Sequence, residues 1–407
     1  MGALLAGFAH LALAGAENSS LNYFGAPPGT LARVKARVKA GDKTLTPALD
    51  ALIADADRAL LADPPSVMDK TRLPPTGDRH DYMSTAPYFW PDPARSNGLP
   101  YIRHDGKVNP ESRGPASDHD RLGRMGATVQ TLALAYYLTG REAYATQAAR
   151  FLRVWFLEPA TRMKPNLDFA QGVPGASTGR GFGVLEGRSI AEAADAAQLL
   201  TGSGAWKAKD DKAFRSWLGA FLDWLLTSRN GRAEAVAHNN HGTFYDVQVL
   251  RLALVLGRDS LAKSIASAAG PKRIAAQIEP DGRQPLELQR TAALGYSAFN
   301  LQALFALATL AEYAGTDLWH YQTSDGRSIR KALDFLLPYI DVPAKPWPYP
   351  QLKKYDPANL APLLRQAANV FHAPEYERLL AKYPDTTRKR FQLLSPESEA
   401  RPGSPVP

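Results

Sequence analysis

The sequence predicts an all-α protein in which antiparallel helix pairs form an (α/α) toroid or barrel, with long loops covering a cleft. Apolar residues recur at helical spacing through most of the chain, and strand patterns are scarce. Short segments join most of the predicted helices, as in antiparallel helix pairs. These repeated helical hairpins favour a toroid, although no sequence repeat is visible.

The composition is that of an ordinary globular protein. Of the 407 residues, 45% are hydrophobic and 22% are charged, which is typical of a folded domain. We expect a single toroid domain over residues 17–393. A Pro-, Ser- and Glu-rich tail, 394–407, is predicted to be disordered. The chain has no cysteine, which excludes disulfides, thiolate nucleophiles and cysteine-ligated zinc.

The beginning of the chain resembles an export signal. Residues 1–16 are a short apolar run that ends in Ala14-Gly15-Ala16, the small-x-small pattern of a cleavage site. We therefore expect a signal peptide and a periplasmic or secreted protein. An N-terminal core helix is the alternative, because the run lacks a basic segment. No other apolar run approaches the length of about 18 residues that crosses a membrane.

Apolar periodicity predicts helices in most of the chain. They cover residues 31–40, 44–62, 119–139, 142–157, 185–201, 208–228, 241–257, 259–268, 295–314, 327–339, 357–370 and 374–383. The irregular segment 158–185 contains Arg180, which we expect to present its charge to an anion. Trp347 lies in a proline-rich segment and is predicted at the rim of the cleft. The alternative is a rigid linker that packs on the helices.

The segment 63–117 is the longest irregular stretch of the sequence. It is rich in Pro and Gly, and a loop of that length in a compact domain is usually functional or disordered. Its aromatic residues argue against disorder, so we predict an ordered loop over the cleft. Tyr82, Tyr88 and Trp90 are expected to be platforms for sugar rings. Alternatively, Phe89 and Trp90 fill the core beneath the loop.

The charge balance indicates a polyanionic partner. The net charge is +8 at pH 7 and the isoelectric point is about 9.4, which suits nucleic acid, an anionic membrane or an acidic polysaccharide. No nucleic-acid-binding motif is present, so we favour a basic cleft for an anionic polysaccharide in a monomeric protein. A solvated basic surface is the alternative. His238 and His241 are the only close histidine pair and no carboxylates complete a site, so no metal or cofactor is expected.

A first cluster of candidate site residues lies at the predicted start of a helix. Asn239, Asn240 and His241 precede the apolar run Val247–Leu256, and asparagine is a favoured N-cap residue. From His241 onward, Tyr245 and Gln248 follow at i+4 and i+7 and share one helix face. A polar stripe on an apolar helix lines either water or a site. The alternative is a capped helix with a satisfied core histidine.

A second cluster follows about fifty residues later. Arg290 stands six residues before Tyr296, which opens another apolar helix. Amide, imidazole and guanidinium donors around a uronate carboxylate would stabilise the enolate-like transition state of a β-elimination. Tyr296 would take the C5 proton. Its reference pKa of about 10 must be lowered for this, and a nearby cation such as Arg290 is the usual means.

These residues resemble the alginate lyase family of polysaccharide lyases. The resemblance rests on Asn239-Asn240-His241, on Arg290 with Tyr296, and on the segments 81–93 and 105–111. It implies an all-α toroid and an acidic polysaccharide substrate. It also implies that Asn240, His241 and Arg290 neutralise the substrate carboxylate, while Tyr296 removes the C5 proton and returns a proton to the departing 4-oxygen. Whether His241 is itself a base stays open. Asn239, Tyr245 and Gln248 are then candidates for substrate binding.

The substrate is left less certain by one departure from the family pattern. The step from Arg290 to Tyr296 is one residue shorter than expected in the alginate-specific branch. The shorter spacing resembles a sister branch of lyases with a broader or different polyuronate preference. β-D-Mannuronate and β-D-glucuronate differ only at C2, away from the reacting carbons, so both fit, and α-L-guluronate ranks lower.

Two alternatives remain: a non-catalytic polyuronate-binding protein, or an inverting glycoside hydrolase, which needs two carboxylates. The hydrolase candidates are Asp92, Asp118, Asp120 and Glu186.

Overall fold

The computed structural model describes residues 23–341 and 344–397. The predicted signal peptide, 1–16, lies outside the described residues. The described α-helices are α1 (Thr30–Lys39), α2 (Thr46–Ala59), α3 (His119–Thr139), α4 (Glu142–Leu152), α5 (Arg188–Ala197), α6 (Ala208–Thr227), α7 (Arg229–Ala235), α8 (Asn240–Leu256), α9 (Asp259–Ala269), α10 (Pro285–Leu288), α11 (Ala293–Tyr313), α12 (Ile329–Ile340), α13 (Ala361–Phe371), α14 (Pro374–Leu380) and α15 (Phe391–Leu394).

The helices pack in consecutive pairs around one hydrophobic core, as an α/α toroid. Contacts join α3 to α4 and α5, α8 to α9 and α11, and α13 to α14. This confirms the predicted all-α class. The short helices α7 and α10 were not predicted, because seven and four residues, respectively, are too few to show a periodic pattern. They matter for the site, since α7 directly precedes α8 and α10 directly precedes α11.

Four short strands fasten the irregular segments to each other. Strand β1 (Met83–Thr85) pairs in parallel with β4 (Phe169–Gly172), and β2 (Phe89–Trp90) pairs antiparallel with β3 (Ile102–Arg103). The predicted ordered loop is therefore held by backbone hydrogen bonds to the second irregular segment. It also lies on a fully buried ion pair, in which Lys70 Nζ is 3.0 Å from Asp118 Oδ2. Asp118 in turn accepts from the N–H of Met83 at 3.0 Å.

Helices α8 and α11 form the centre of the core. The side chain of Asn239 caps α8 by accepting from the N–H of His241 at 3.2 Å, and Gly257 ends the helix at φ 70°, a conformation that glycine adopts without strain. Helix α11 is long and apolar enough to cross a bilayer, contrary to the length expectation from the sequence. However, 72% of its most apolar window is buried inside the protein, as in a central core helix.

The C-terminal segment packs against the body as far as it is described. Asn369 on α13 donates to Ser395 Oγ at 3.1 Å and to the carbonyl of Pro396 at 2.8 Å. Residues 394–397 of the predicted disordered tail are therefore in contact with α13. Residues 398–407 lie outside the described residues.

Candidate active site

A basic cleft of about 570 Å³ opens between the long loop, the start of α3, the segment before α5, and the first turns of α8 and α11. Glu186 is the one carboxylate among its lining residues. Five arginines line it as well: Arg103, Arg113, Arg180, Arg188 and Arg290. Such an excess of cations in a concave site attracts an anionic ligand.

Asn240 lies at the cleft and is fixed by a buried carboxylate. Glu287 on α10 accepts from the backbone N–H of Asn240 at 2.7 Å, and from its Nδ2 at 2.8 Å with each carboxylate oxygen. Both residues are buried. Burial raises the pKa of Glu287, although the hydrogen bonds from Asn240 act to lower it. The orientation of the Asn240 amide is thereby set before any ligand binds.

His241 also lines the cleft and is oriented by a carboxylate from the preceding helix. Its Nδ1 lies 2.6 Å from Glu234 Oε1, and both side chains are buried. With Nδ1 donating its proton to Glu234, Nε2 is the ring nitrogen left to act as an acceptor. The ring of Phe182 packs edge-on against the imidazole, with 4.5 Å between ring centroids. The geometry thus presents one defined nitrogen of His241 for chemistry.

Arg290 and Tyr296 line the same cleft and contact each other. The Cζ atom of Arg290 lies 3.7 Å from the ring centroid of Tyr296. Asp105, from the long loop, accepts from Arg290 Nε at 3.0 Å and from Nη2 at 2.7 Å. Burial raises the pKa of Asp105, but these hydrogen bonds outweigh it and hold the pKa at about 2. Arg290 therefore carries a charge that the protein already balances in part.

The hydroxyl of Tyr296 donates to the hydroxyl of Tyr88 at 2.7 Å. Burial raises the pKa of Tyr296, and the hydrogen bond to Tyr88 raises it further, while Arg290 acts to lower it. The expectation that Arg290 lowers this pKa overall is therefore wrong for the ligand-free protein. Desolvation of the phenolate exceeds the effect of the stacked cation, so Tyr296 is a neutral phenol at rest.

Arg180 lines the cleft as expected for an anion-binding residue. Its guanidinium lies over two aromatic rings, 4.9 Å from the centroid of Phe89 and 4.8 Å from that of Phe182. Its Nη2 donates to Gln171 Oε1 at 2.9 Å, a neutral partner. Burial, followed by the nearby Arg103, lowers the pKa of Arg180 to about 10. It stays charged near neutrality.

Comparison with known proteins agrees with this geometry. The model of the family described as alginate lyase matches residues 66–347, most of the chain. The chain belongs to the alginate lyase family. The crystal structure of an alginate lyase from Bacteroides ovatus shares 43% sequence identity, with a TM-score of 0.87 over 92% of this chain and 99% of that one. No curated protein sequence matches the chain.

More distant alginate lyase structures share the fold. Alginate lyase A1-III from Sphingomonas species A1 is 18% identical, with a TM-score of 0.52 over 84% of this chain and 94% of that one. A histidine-to-alanine variant of A1-III complexed with a tetrasaccharide is 17% identical, with a TM-score of 0.60 over 94% and 98% of the two chains. At this level of identity the similarity is one of fold. As a member of the alginate lyase family, the protein is a polysaccharide lyase.

Two residues of the polar stripe on α8 do not reach the cleft of this lyase. Tyr245 is buried and donates its hydroxyl proton to the carbonyl of Leu225 at 3.0 Å. Gln248 is fully buried and donates to the carbonyl of Phe244 at 3.2 Å. Because α8 is covered on nearly all sides, these two side chains lie inside the protein, so we reassign both residues to packing. Asn239 is the N-cap and is not among the described cleft-lining residues.

The predicted aromatic platforms also need correction. Tyr82 is fully buried and donates to Glu186 Oε2 at 2.6 Å, so no sugar can stack on it. Trp90 is held in β2 and donates to the carbonyl of Lys107 at 3.0 Å, outside the described lining of the cleft. Trp347 packs on Tyr339 of α12, with 4.8 Å between centroids, which fits the alternative of a rigid linker. Tyr88 does line the cleft.

The carboxylates proposed for a hydrolase are not arranged as a pair. Asp118 is buried with Lys70, and Asp120 is exposed and interacts with His119 and Arg113. Glu186 lines the cleft, but its Oε2 accepts from Tyr82 and from Ser84. An inverting hydrolase needs two carboxylates facing one another across the substrate. The described cleft offers one.

Sequence reasoning missed the residues that position the site. They are Glu234, Glu287 and Asp105, together with two further lining residues, Phe182 and Arg188. Glu287 had one usable signal, since it lies three residues before Arg290 in the segment that carries the family resemblance. Asp105 lay in a recognised segment, but its partner is 185 residues away in sequence. No local pattern connects such pairs.

Proposed function

We propose that the protein cleaves 1,4-linked polyuronates by β-elimination between C4 and C5, leaving an unsaturated uronate at the new non-reducing end. The preferred substrate is the β-D-mannuronate polymer of alginate, and glucuronan, which has the same configuration at C4 and C5, is the alternative. The relatives described as alginate lyases support the substrate class. The observation that carries the proposal is the convergence of Asn240, His241, Arg290 and Tyr296 on one basic cleft.

The substrate carboxylate would lie between Asn240, His241 and Arg290. Glu287 orients Nδ2 of Asn240, and Glu234 orients the imidazole of His241. Nε2 of His241 donates to the carboxylate when the imidazole is protonated, since both ring nitrogens are then donors. On Arg290, Nε and Nη2 are engaged by Asp105, so Nη1 is the nitrogen available to a ligand. Preoriented donors of this kind stabilise charge that develops on the carboxylate as C5 loses its proton. They need no reorganisation during the reaction.

Tyr296 is the proposed proton carrier. In a β-D-mannuronate chain the C5 hydrogen and the 4-oxygen lie on the same face of the ring, so one group can serve both. Tyr296 reacts as the phenolate, its own proton having passed to solvent; it takes the C5 proton and then returns that proton to the departing 4-oxygen, so that it ends as a phenolate again. In α-L-guluronate the C5 hydrogen lies on the other face. That substrate would need a separate base, for which Nε2 of His241 is the candidate.

The test is ultraviolet absorbance during incubation with polymannuronate, polyguluronate and glucuronan. A rise in absorbance reports the C4–C5 double bond, and we expect the fastest rise on polymannuronate or glucuronan. New reducing ends without a rise in absorbance would refute elimination in favour of hydrolysis. Binding with neither signal would indicate a non-catalytic polyuronate-binding protein. We also propose export to the periplasm or medium, which fractionation of the native host would test.

A further inference from the structure

We infer that Arg188 is the binding site for a second substrate carboxylate, on the uronate next to the one that reacts. The inference rests on the proposed function and extends it from one sugar to two. Arg188 is the first residue of α5 and lines the cleft. It was not recognised in the sequence. Like Arg180, and unlike the other three cleft arginines, it forms no described salt bridge.

The charge of Arg188 is not neutralised by an ion pair. Its Nε donates to the carbonyl of Leu185 at 3.3 Å, and within the described residues its guanidinium forms no salt bridge to a carboxylate. By contrast, Arg290 and Arg103 share Asp105, and Arg113 is 3.3 Å from Asp120. Arg180 also has no described salt bridge, but its Nη2 already donates to Gln171, whereas neither Nη of Arg188 has a described acceptor. Burial lowers the pKa of Arg188, although the carboxylates of Glu192 and Glu186 act to raise it.

Two aromatic rings hold this guanidinium in place. Its Cζ lies 4.5 Å from the ring centroid of Phe244 and 5.1 Å from that of Phe299. Stacking fixes the plane of the guanidinium and leaves its edge, with the Nη donors, for a ligand. A planar, preoriented edge of this kind suits a carboxylate, which accepts two parallel hydrogen bonds. Neither ring can compete with a ligand for those donors.

The two rings also place Arg188 relative to the reacting sugar. Phe244 follows Asn240 by four residues on α8, and Phe299 follows Tyr296 by three residues on α11, so each shares a helix face with a proposed catalytic residue. One helical turn is about 5.4 Å. Arg188 thus contacts two side chains that each lie about one turn along from a proposed catalytic residue, and a polyuronate repeats its carboxylate at every sugar. A neighbouring carboxylate is the chemical group that fits.

Arg188→Gln tests this inference through its dependence on substrate length. We would measure kcat and KM on mannuronate oligosaccharides of two to six sugars, and affinity by calorimetry in a Tyr296→Phe background, where turnover is blocked. The wild type should gain affinity at the length that first reaches Arg188. For substrates of that length or longer, the variant should bind about tenfold or more weakly than the wild type, which is the scale of one charge-assisted hydrogen bond. Its affinity for shorter substrates should change little.

Matched variants separate the interpretation from a structural effect. Arg113→Gln removes a cleft arginine that is already balanced by Asp120, so it should lose far less. Arg188→Lys keeps the charge but not the planar edge, so it should recover part of the affinity. It also serves as the test if Arg188→Gln does not fold. An unchanged length dependence, or an equal loss at every length, would overturn the inference.

The two proposals can fail separately. If the wild type binds the oligosaccharides in an Arg188-dependent manner but gives no absorbance rise, the elimination is refuted while the carboxylate site stands. If the wild type eliminates normally and Arg188→Gln shows wild-type length dependence, the proposed function stands while the carboxylate site is refuted. An absence of both binding and turnover would refute both.

Discussion

The guanidinium of Arg290 lies over the ring of Tyr296, with 3.7 Å between Cζ and the ring centroid. The same cation is engaged by Asp105 and is a proposed donor to the substrate carboxylate. When the carboxylate of the reacting uronate binds, the positive charge of Arg290 interacts with two carboxylates, that of Asp105 and that of the substrate. Arg290 then stabilises a phenolate of Tyr296 less. Substrate binding and phenolate formation therefore oppose each other at Arg290, and the other donors must compensate.

Tyr296→Phe should abolish turnover and leave binding largely intact. The substitution keeps the ring beneath Arg290 and removes only the hydroxyl that carries the proton. Absorbance assays should show no product, while calorimetry with tetramannuronate should give an affinity within a few-fold of the wild type. Turnover at the wild-type rate would remove Tyr296 from the mechanism.

The pH dependence of kcat/KM should identify the base. Burial raises the pKa of Tyr296 above its reference value of about 10. The phenolate fraction therefore grows about tenfold per pH unit below that pKa, and kcat/KM should still be rising at pH 9. A base that titrates near the reference pKa of histidine, about 6.5, would instead give a plateau above neutrality. Initial rates between pH 6 and 10 distinguish the two.

Glu234→Ala should lower kcat more than it raises KM. It removes the acceptor of the Nδ1 proton of His241, so the ring can rotate or adopt the other tautomer. We expect a loss of about 10²-fold in kcat, the scale for losing one donor to the charge that develops on the substrate carboxylate. Glu234→Gln keeps an acceptor for Nδ1 and should recover part of the activity. Equal losses in both variants would argue against a role in orientation.

Asn240→Ala should lower kcat by about 10²-fold or more, the scale for deleting one donor to a developing oxyanion. The buried Glu287 carboxylate accepts three hydrogen bonds from Asn240, two from its side chain and one from its backbone. The substitution removes the two side-chain bonds, so some loss of stability should accompany it. Steady-state kinetics and thermal unfolding measure the two effects. A rise in KM alone would make Asn240 a binding residue.

Asp105→Asn should weaken the site and lower the stability of the fold near neutral pH. The pKa of Asp105 is about 2 in the folded protein, below the reference value of about 3.9. Its ion pair therefore stabilises the fold fully above pH 4, and this contribution is lost as the pH falls from 4 towards 2. Urea midpoints of wild type and variant should differ at pH 7 and converge towards pH 2. A difference that does not depend on pH would contradict the ion-pair explanation.

Local patterns predicted the helices and the position of four site residues, but not what supports them. The start of α8 and the opening of α11 followed from capping and apolar periodicity. Tyr245 and Gln248 were misassigned, since periodicity shows which residues share a face but not whether that face meets solvent or another helix. Phe182 and Arg188 went unrecognised because aromatic and cationic side chains are common on any surface, and only the fold brings them to one cleft.

The loop that carries Tyr88 and Asp105 is fastened at two points. Tyr101 donates its N–H to the carbonyl of Pro174 at 3.0 Å, and Asp105 accepts from Arg290. The same loop therefore contacts the proposed proton carrier through Tyr88 and its stacked cation through Asp105. We expect that loss of the Asp105–Arg290 ion pair would loosen the loop and disturb the hydrogen bond between Tyr88 and Tyr296 at the same time.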